Sequence, residues 1–365
     1  MTELADIFRQ YGPSYREQFA DRMPSSHLQA MQDIERCRTA ALGGQVYHCP
    51  DCQETIYRYH SCRNRHCPKC QNSKAQEWLA SQQDLLLPVP YFMLTFTLPQ
   101  ELRSLARANQ HLFYNTLFRA SAEATRKLAT DPRFIGAQIG MVGVLHTWGR
   151  NLCHHPHVHY LVPCGGLSLD GDTWLPGDPD FFLPVKALGK IFRAKFRSAL
   201  QKTVFFEQIP ATVWRQNWVV HAKPVGDGRN AFKYLAAYVF RVAISNQRIL
   251  KLENGQVTFR YKDTKTGKTK CCSLAAFEFM RRFLHHILPK GFVKVRYYGL
   301  FSPAWRARMP VLQQLVALTR LYPCAPVLDS DPSQIPSTDH HTVCCPSCGQ
   351  ILEPRLLPRL RNRPP

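Results

Sequence analysis

At 365 residues the chain is long enough for two or three domains, one of them able to bury a full core. Lys+Arg of 47 against Asp+Glu of 26 leaves a formal charge of +21, too large an excess for an ordinary enzyme of small metabolites and the mark of a polyanionic partner. No apolar run long enough to span a bilayer, no export signal and no lipidation motif is found, which sets membranes aside and favours DNA as the partner of a cytoplasmic, nucleoid-associated protein.

In chain order, residues 1–36 read as short helices broken at Pro13 and Pro24, with Leu28, Met31 and Ile34 as an apolar stripe. Six of the 14 cysteines crowd between Cys37 and Cys70, beside His48, His60 and His66, with few aliphatic residues. In a reducing compartment such a stretch folds around metal rather than disulfides. Cys49-Pro-Asp-Cys52 and Cys67-Pro-Lys-Cys70 are two CxxC turns separated by 14 residues, the spacing of a four-thiolate structural zinc site that leaves no open coordination position. Cys37, Cys62 and His66 are additional candidate ligands. Arg63, Arg65 and Lys69 lie on or beside the second turn, where a metal-fixed backbone would aim them at phosphates. Residues 75–86 read as a linker helix that stops before Pro88, which closes a zinc-binding module over 37–86.

A larger α+β domain over 87–300 follows, built on a largely antiparallel sheet flanked by helices. Strands are expected at 91–98, 139–148, 157–162, 213–222, 256–261 and 292–298, and helices at 101–130, 186–203, 229–245, 273–287 and 310–321. Lys262–Lys270 reads as a basic hairpin turn with Gly267 at its bend. Residues 301–365 supply a terminal helix and a basic, Pro-rich tail that reads as mobile. That tail holds half a zinc knuckle, Cys345-Pro-Ser-Cys348, with His340, His341 or Cys324 to complete it.

Two constellations carry chemistry. In a strand, His157 and His159 project to one face while Val158 enters the core. If the segment from Gly149 to His155 turns, His146 lies nearly opposite the pair and supplies a third ligand; Asn246 and Gln247 are alternatives. Three neutral ligands leave positions open for a phosphate oxygen and water, as a Lewis-acid site requires. Tyr234 and Tyr238, at i and i+4, share one helix face beside Lys233. A phenolate can attack a phosphodiester, form a phosphotyrosine ester and release a 3′-hydroxyl, with Lys233 or metal-bound water assisting loss of the phenol proton.

The SCRNRHCPKC block, FTLP at 96–99, HTWGRNLCHHPHVHYLVP at 146–163 and YLAAYVFRVAISNQRI at 234–249 together resemble the rolling-circle insertion-sequence transposases, the family numbered ninety-one among insertion sequences. That family belongs to the two-tyrosine branch of the HUH endonucleases. The resemblance implies an HUH-type sheet preceded by a zinc-ribbon-like module, His157 and His159 as ligands of a catalytic Mg²⁺ or Mn²⁺ with His146 as the candidate third, and Tyr234 and Tyr238 as nucleophiles. It implies nicking of one strand at an element end, capture of the 5′ end and transfer to a target, with host replication or helicase machinery to unwind the DNA. A zinc-ribbon DNA-binding regulator and a plasmid replication initiator are the competing readings.

Overall fold

The chain's computed structural model describes residues 2–70, 78–79, 82, 85–227, 230, 239, 242–263, 266–319 and 343–359. In chain order the strands are β1 (Gly44–His48), β2 (Thr55–Tyr59), β3 (Pro90–Thr97), β4 (Gly140–Trp148), β5 (His154–Pro163), β6 (Gly165–Leu167), β7 (Trp174–Pro176), β8 (Val220–Asp227), β9 (Ile249–Glu253), β10 (Gln256–Lys262), β11 (Thr269–Ala275), β12 (Val295–Gly299), β13 (Val343–Cys344), β14 (Ile351–Leu352) and β15 (Pro354–Leu357). The central sheet runs β12-β4-β5-β3-β8, and every neighbouring pair is antiparallel. The fold is therefore α+β around an antiparallel sheet, as the mixed order of strand and helix patterns requires.

The central strands β3, β4 and β5 are apolar on both faces, so both faces must be covered. Phe92, Leu94 and Phe96 of β3, with Val158 and Tyr160 of β5, pack beneath the helices Gln110–Ala129 and Val185–Leu200. Tyr91, Met93, Val142, Val144 and Leu161 face the other way, against Leu300, Phe301 and the helix Met309–Thr319. A second core joins the N-terminal helices Leu4–Phe19 and Ser25–Arg36 to the helix Ala276–Leu284. The basic hairpin is present as β10 and β11, paired antiparallel, with Gly267 at φ +69°.

Several boundaries depart from the sequence reading. Pro13 does not break its helix, which runs unbroken from Leu4 to Phe19; Pro13 is exposed, and on a solvent face water satisfies the carbonyl that proline leaves without a donor. The single helix expected over 101–130 is divided at Asn109, whose φ of −127° and ψ of 52° are not helical. Val213–Trp218 is not strand: Val213 sits in a short 3₁₀ turn, Trp218 packs edge-on against Phe192 and Phe196 of the helix Val185–Leu200, and Trp214 stacks on Trp218, so aromatic packing overrides β-propensity. Residues 343–359 are no loose tail, because β15 pairs antiparallel with β1 and completes a β15-β1-β2 sheet. Most of the helices expected over 75–86 and 229–245 lies outside the described residues. Among the described residues no helix is long and apolar enough to cross a membrane.

Candidate active site and zinc clusters

The register of β4 against β5 sets His146 directly opposite His157, and the two-residue period of β5 puts His159 on the same face. The three rings converge. Centroids lie 5.5 Å apart for His146 and His157, 5.0 Å for His146 and His159, and 4.8 Å for His157 and His159. One ring nitrogen from each lies within 4.8 Å of the others. The turn that makes this possible is short: Gly149 N–H donates to Cys153 O at 2.8 Å, and Leu152 takes φ +64°. His154 and His155, read as turn residues, belong to the strand instead. Asn246 is drawn away to the N-terminal helix, accepting from Leu4 N–H and donating to Glu3. Gln247 is exposed and no member of the cluster.

Neighbouring groups orient the rings. His157 Nδ1 donates to His155 O at 2.6 Å, which makes Nε2 its lone-pair nitrogen. The Thr95 hydroxyl lies 2.9 Å from His159 Nδ1, across the β3–β5 pairing. Trp148 stacks on His146 at 4.6 Å. Burial pushes His155 down to about 4, helped by His157, so it receives Arg103 Nη2 as a neutral ring at 2.6 Å. Three imidazoles with no carboxylate among them suit a divalent cation with open positions, and such nitrogen donors favour Mn²⁺ over the strictly oxygen-seeking Mg²⁺.

Tyr234, Tyr238 and Lys233 lie outside the described residues. Val239, next in the chain after Tyr238, is described: it is buried in the core on the sheet face that bears the histidines. Its carbonyl accepts from Lys294 Nζ at 2.9 Å, and that ammonium lies 5.3 Å from the ring centroid of Trp148. Burial, and after it the nearby Arg65, lowers Lys294 to about 7. A hydrogen bond and a ring contact through Lys294 thus join Val239 to the residue stacked on His146. Sequence reasoning missed Thr95 and Lys294. The alternation of Thr95 and Thr97 with Phe96, and a lysine inside the β-rich run at 292–298, were the available signals.

Among the described residues eight cysteines form two clusters, not one. Cys49 and Cys52 are grouped with Cys345 and Cys348, and Cys67 and Cys70 with Cys37 and Cys62. The expected Cys49, Cys52, Cys67, Cys70 set is therefore replaced: β1 and β2 carry the first CxxC turn away from the second, and the second closes on the cysteine that ends the helix Ser25–Arg36. His66 joins neither cluster, its Nε2 accepting from Leu288 N–H at 3.3 Å. Of the basic residues assigned to phosphate, Arg65 turns inward and donates to Phe292 O at 2.6 Å and Pro289 O at 2.8 Å. Lys69 pairs with Glu3 at 2.5 Å, whereas Arg63 is on the surface.

Comparison with known proteins places two family models on the chain. One described as "Transposase zinc-binding domain" matches residues 7–98, and one described as "Putative transposase" matches residues 140–308. "Putative transposase y4qJ" of Sinorhizobium fredii is 44% identical over 324 residues, covering 83% of this chain and 81% of that protein. "Transposase for insertion sequence element IS801" of Pseudomonas savastanoi pv. phaseolicola is 29% identical over 285 residues, covering 73% and 68%. No solved structure matches.

Proposed function

The chain belongs to the IS91-family insertion-sequence transposases with an N-terminal zinc-binding domain, and on that premise we propose that it cuts single-stranded DNA at element ends by a metal-dependent HUH mechanism with tyrosine as nucleophile, and transfers the strand by rolling-circle transposition. The observation that carries this reading is the convergence of His146, His157 and His159 on the same sheet face against which Val239, next after Tyr238, is buried.

His146, His157 and His159 would hold a catalytic Mn²⁺ or Mg²⁺, which would supply positive charge beside the scissile phosphate. Tyr234 or Tyr238 attacks phosphorus. The bond from phenolic oxygen to phosphorus forms, the bond from phosphorus to the 3′-oxygen breaks, the phenol gives up its proton, and the departing 3′-oxygen gains one. Thr95 and the His155 carbonyl keep the His159 and His157 rings aimed, so that little reorganisation is needed during the reaction. Two tyrosines allow one to hold the first 5′ end while the other cuts or receives a second strand. Lys233 and Arg63 contact phosphates, within a chain whose charge of +21 draws it to DNA. The convergence of three imidazoles favours this reading over a regulator without chemistry.

The test is a single-stranded oligonucleotide carrying an element end, incubated with purified protein and Mn²⁺. Wild type is expected to release a 3′-hydroxyl fragment and remain covalently attached to the other. Tyr234→Phe with Tyr238→Phe abolishes the adduct, and His157→Ala with His159→Ala abolishes cleavage while DNA binding persists. An adduct that forms unchanged in the double phenylalanine variant would sink the assignment.

A further inference from the structure

Half of one cysteine cluster comes from outside the matched zinc-binding domain. Cys345 and Cys348 lie beyond both matched stretches, 7–98 and 140–308, and Cys345 is 293 positions along the chain from Cys52. Nevertheless the two turns are built alike. Cys49 N–H donates to Glu54 O at 2.9 Å and Gln53 N–H to Cys49 O at 3.0 Å; Cys345 N–H donates to Gln350 O at 2.8 Å and Gly349 N–H to Cys345 O at 2.9 Å. The residue after each second cysteine is left-handed, Gln53 at φ 59° and Gly349 at φ 81°. Each turn is framed by short strands, β1 and β2 on one side, β13 and β14 on the other.

The sulfurs of the two turns face one another. Cys52 and Cys345 Sγ are 3.2 Å apart, Cys49 and Cys348 3.4 Å, and Cys52 and Cys348 3.8 Å. All are too long for a disulfide and close to the edge of a tetrahedron with zinc–sulfur bonds of about 2.3 Å, which is about 3.8 Å. Among the described residues the apolar cluster around them is small, Tyr47, Val343, Leu352 and Ile56, too little to hold a distant segment by burial alone. The Ser347 hydroxyl donates to Glu54 Oε2 at 2.5 Å, and the register of β1 with β15 runs from Gly44 opposite Leu357 to Tyr47 opposite Pro354.

We propose that Cys49, Cys52, Cys345 and Cys348 bind a second structural zinc ion that clasps the C-terminal segment 343–359 onto the N-terminal module, separate from the zinc held by Cys37, Cys62, Cys67 and Cys70. The zinc module is then assembled from segments far apart in the chain, with β15 as its third strand. The site has four protein ligands and no open position, so its part is structural.

The experiment uses the full-length purified chain and does not depend on the nicking reaction. Metal analysis is expected to give two zinc ions per chain in wild type and one in the Cys345→Ser, Cys348→Ser protein. One ion is also expected in the Cys49→Ser, Cys52→Ser protein and, decisively, still one when all four are replaced, because the two pairs share a site. A C-terminal double variant that retains two ions, or a wild type that holds one, overturns the proposal. Alkylation of wild type followed by mass spectrometry needs no variant: with zinc bound, Cys49, Cys52, Cys345 and Cys348 are expected to react far more slowly than exposed Cys153 and Cys271, and a chelator is expected to release all four. Labelling of Cys345 and Cys348 at the rate of Cys153 in the zinc-loaded protein contradicts the clasp.

Discussion

Replacing Lys294 by Met separates stability from activity. Its half-buried ammonium lies between the Val239 carbonyl and the Trp148 ring, and the fall from an ordinary 10.5 to about 7 corresponds to about 5 kcal/mol held against the charged form. Because the folded value is the lower one, the unfolded chain binds more protons between about pH 7 and 10.5. This group's contribution to stability therefore rises with pH across that window and is least favourable below it. Methionine removes that penalty. It costs roughly 1–3 kcal/mol for a carbonyl left without its donor, and about 1 kcal/mol for the lost cation–π contact. At pH 7 the balance is a net gain of roughly 1–3 kcal/mol, read as a rise of a few degrees in Tm by calorimetry. Near pH 10, where the amine in the folded chain is already neutral, the gain vanishes and only the loss of the donor to the Val239 carbonyl remains. Strand nicking is expected to move the other way, by a fall on the order of 10- to 100-fold, because Val239 loses the anchor that ties the tyrosine stretch to the residue stacked on His146. A K294M protein that is less stable at pH 7 and nicks at the wild-type rate refutes the reasoning.

Two further outcomes concern stability alone. His286 is fully buried, with the Thr147 hydroxyl at 3.2 Å from Nδ1 and the Leu152 carbonyl at 3.1 Å from Nε2, and burial lowers it from 6.5 to about 4. Its contribution, up to about 3 kcal/mol, is present above pH 6.5 and lost as pH falls towards 4, so His286→Gln is expected to flatten the Tm–pH curve between those values. A Cβ at Gly143 would sit 2.6 Å from Tyr160 Cε1 and 3.2 Å from Phe118 Cε1, and the Tyr160 ring is fixed by its hydroxyl on Ser121 and Phe118. Gly143→Ala is expected to cost roughly 1–3 kcal/mol by urea denaturation, and no loss would mean that the ring can move.

Local chemistry made much of this protein legible. The two-residue strand period settled that His157 and His159 share a face, and the length of the intervening turn placed His146 opposite them, because hairpin register follows from turn length. Apolar runs at 91–98 and 139–148 announced buried strands for the same reason: only a covered sheet tolerates them. Sequence spacing failed where partners are chosen at long range. It paired Cys49–Cys52 with the nearest CxxC, although a thiolate needs only a sulfur nearby in space, and the antiparallel pairing of β1 with β15 brought that sulfur from the opposite end of the chain. It gave Arg65 to DNA from its charge and its place beside the second CxxC turn, whereas packing set the carbonyls of Phe292 and Pro289 within its reach. Residue type and short-range periodicity determined which groups could do chemistry; strand pairing and burial decided which of them meet, since contact between distant segments is a property of the folded chain.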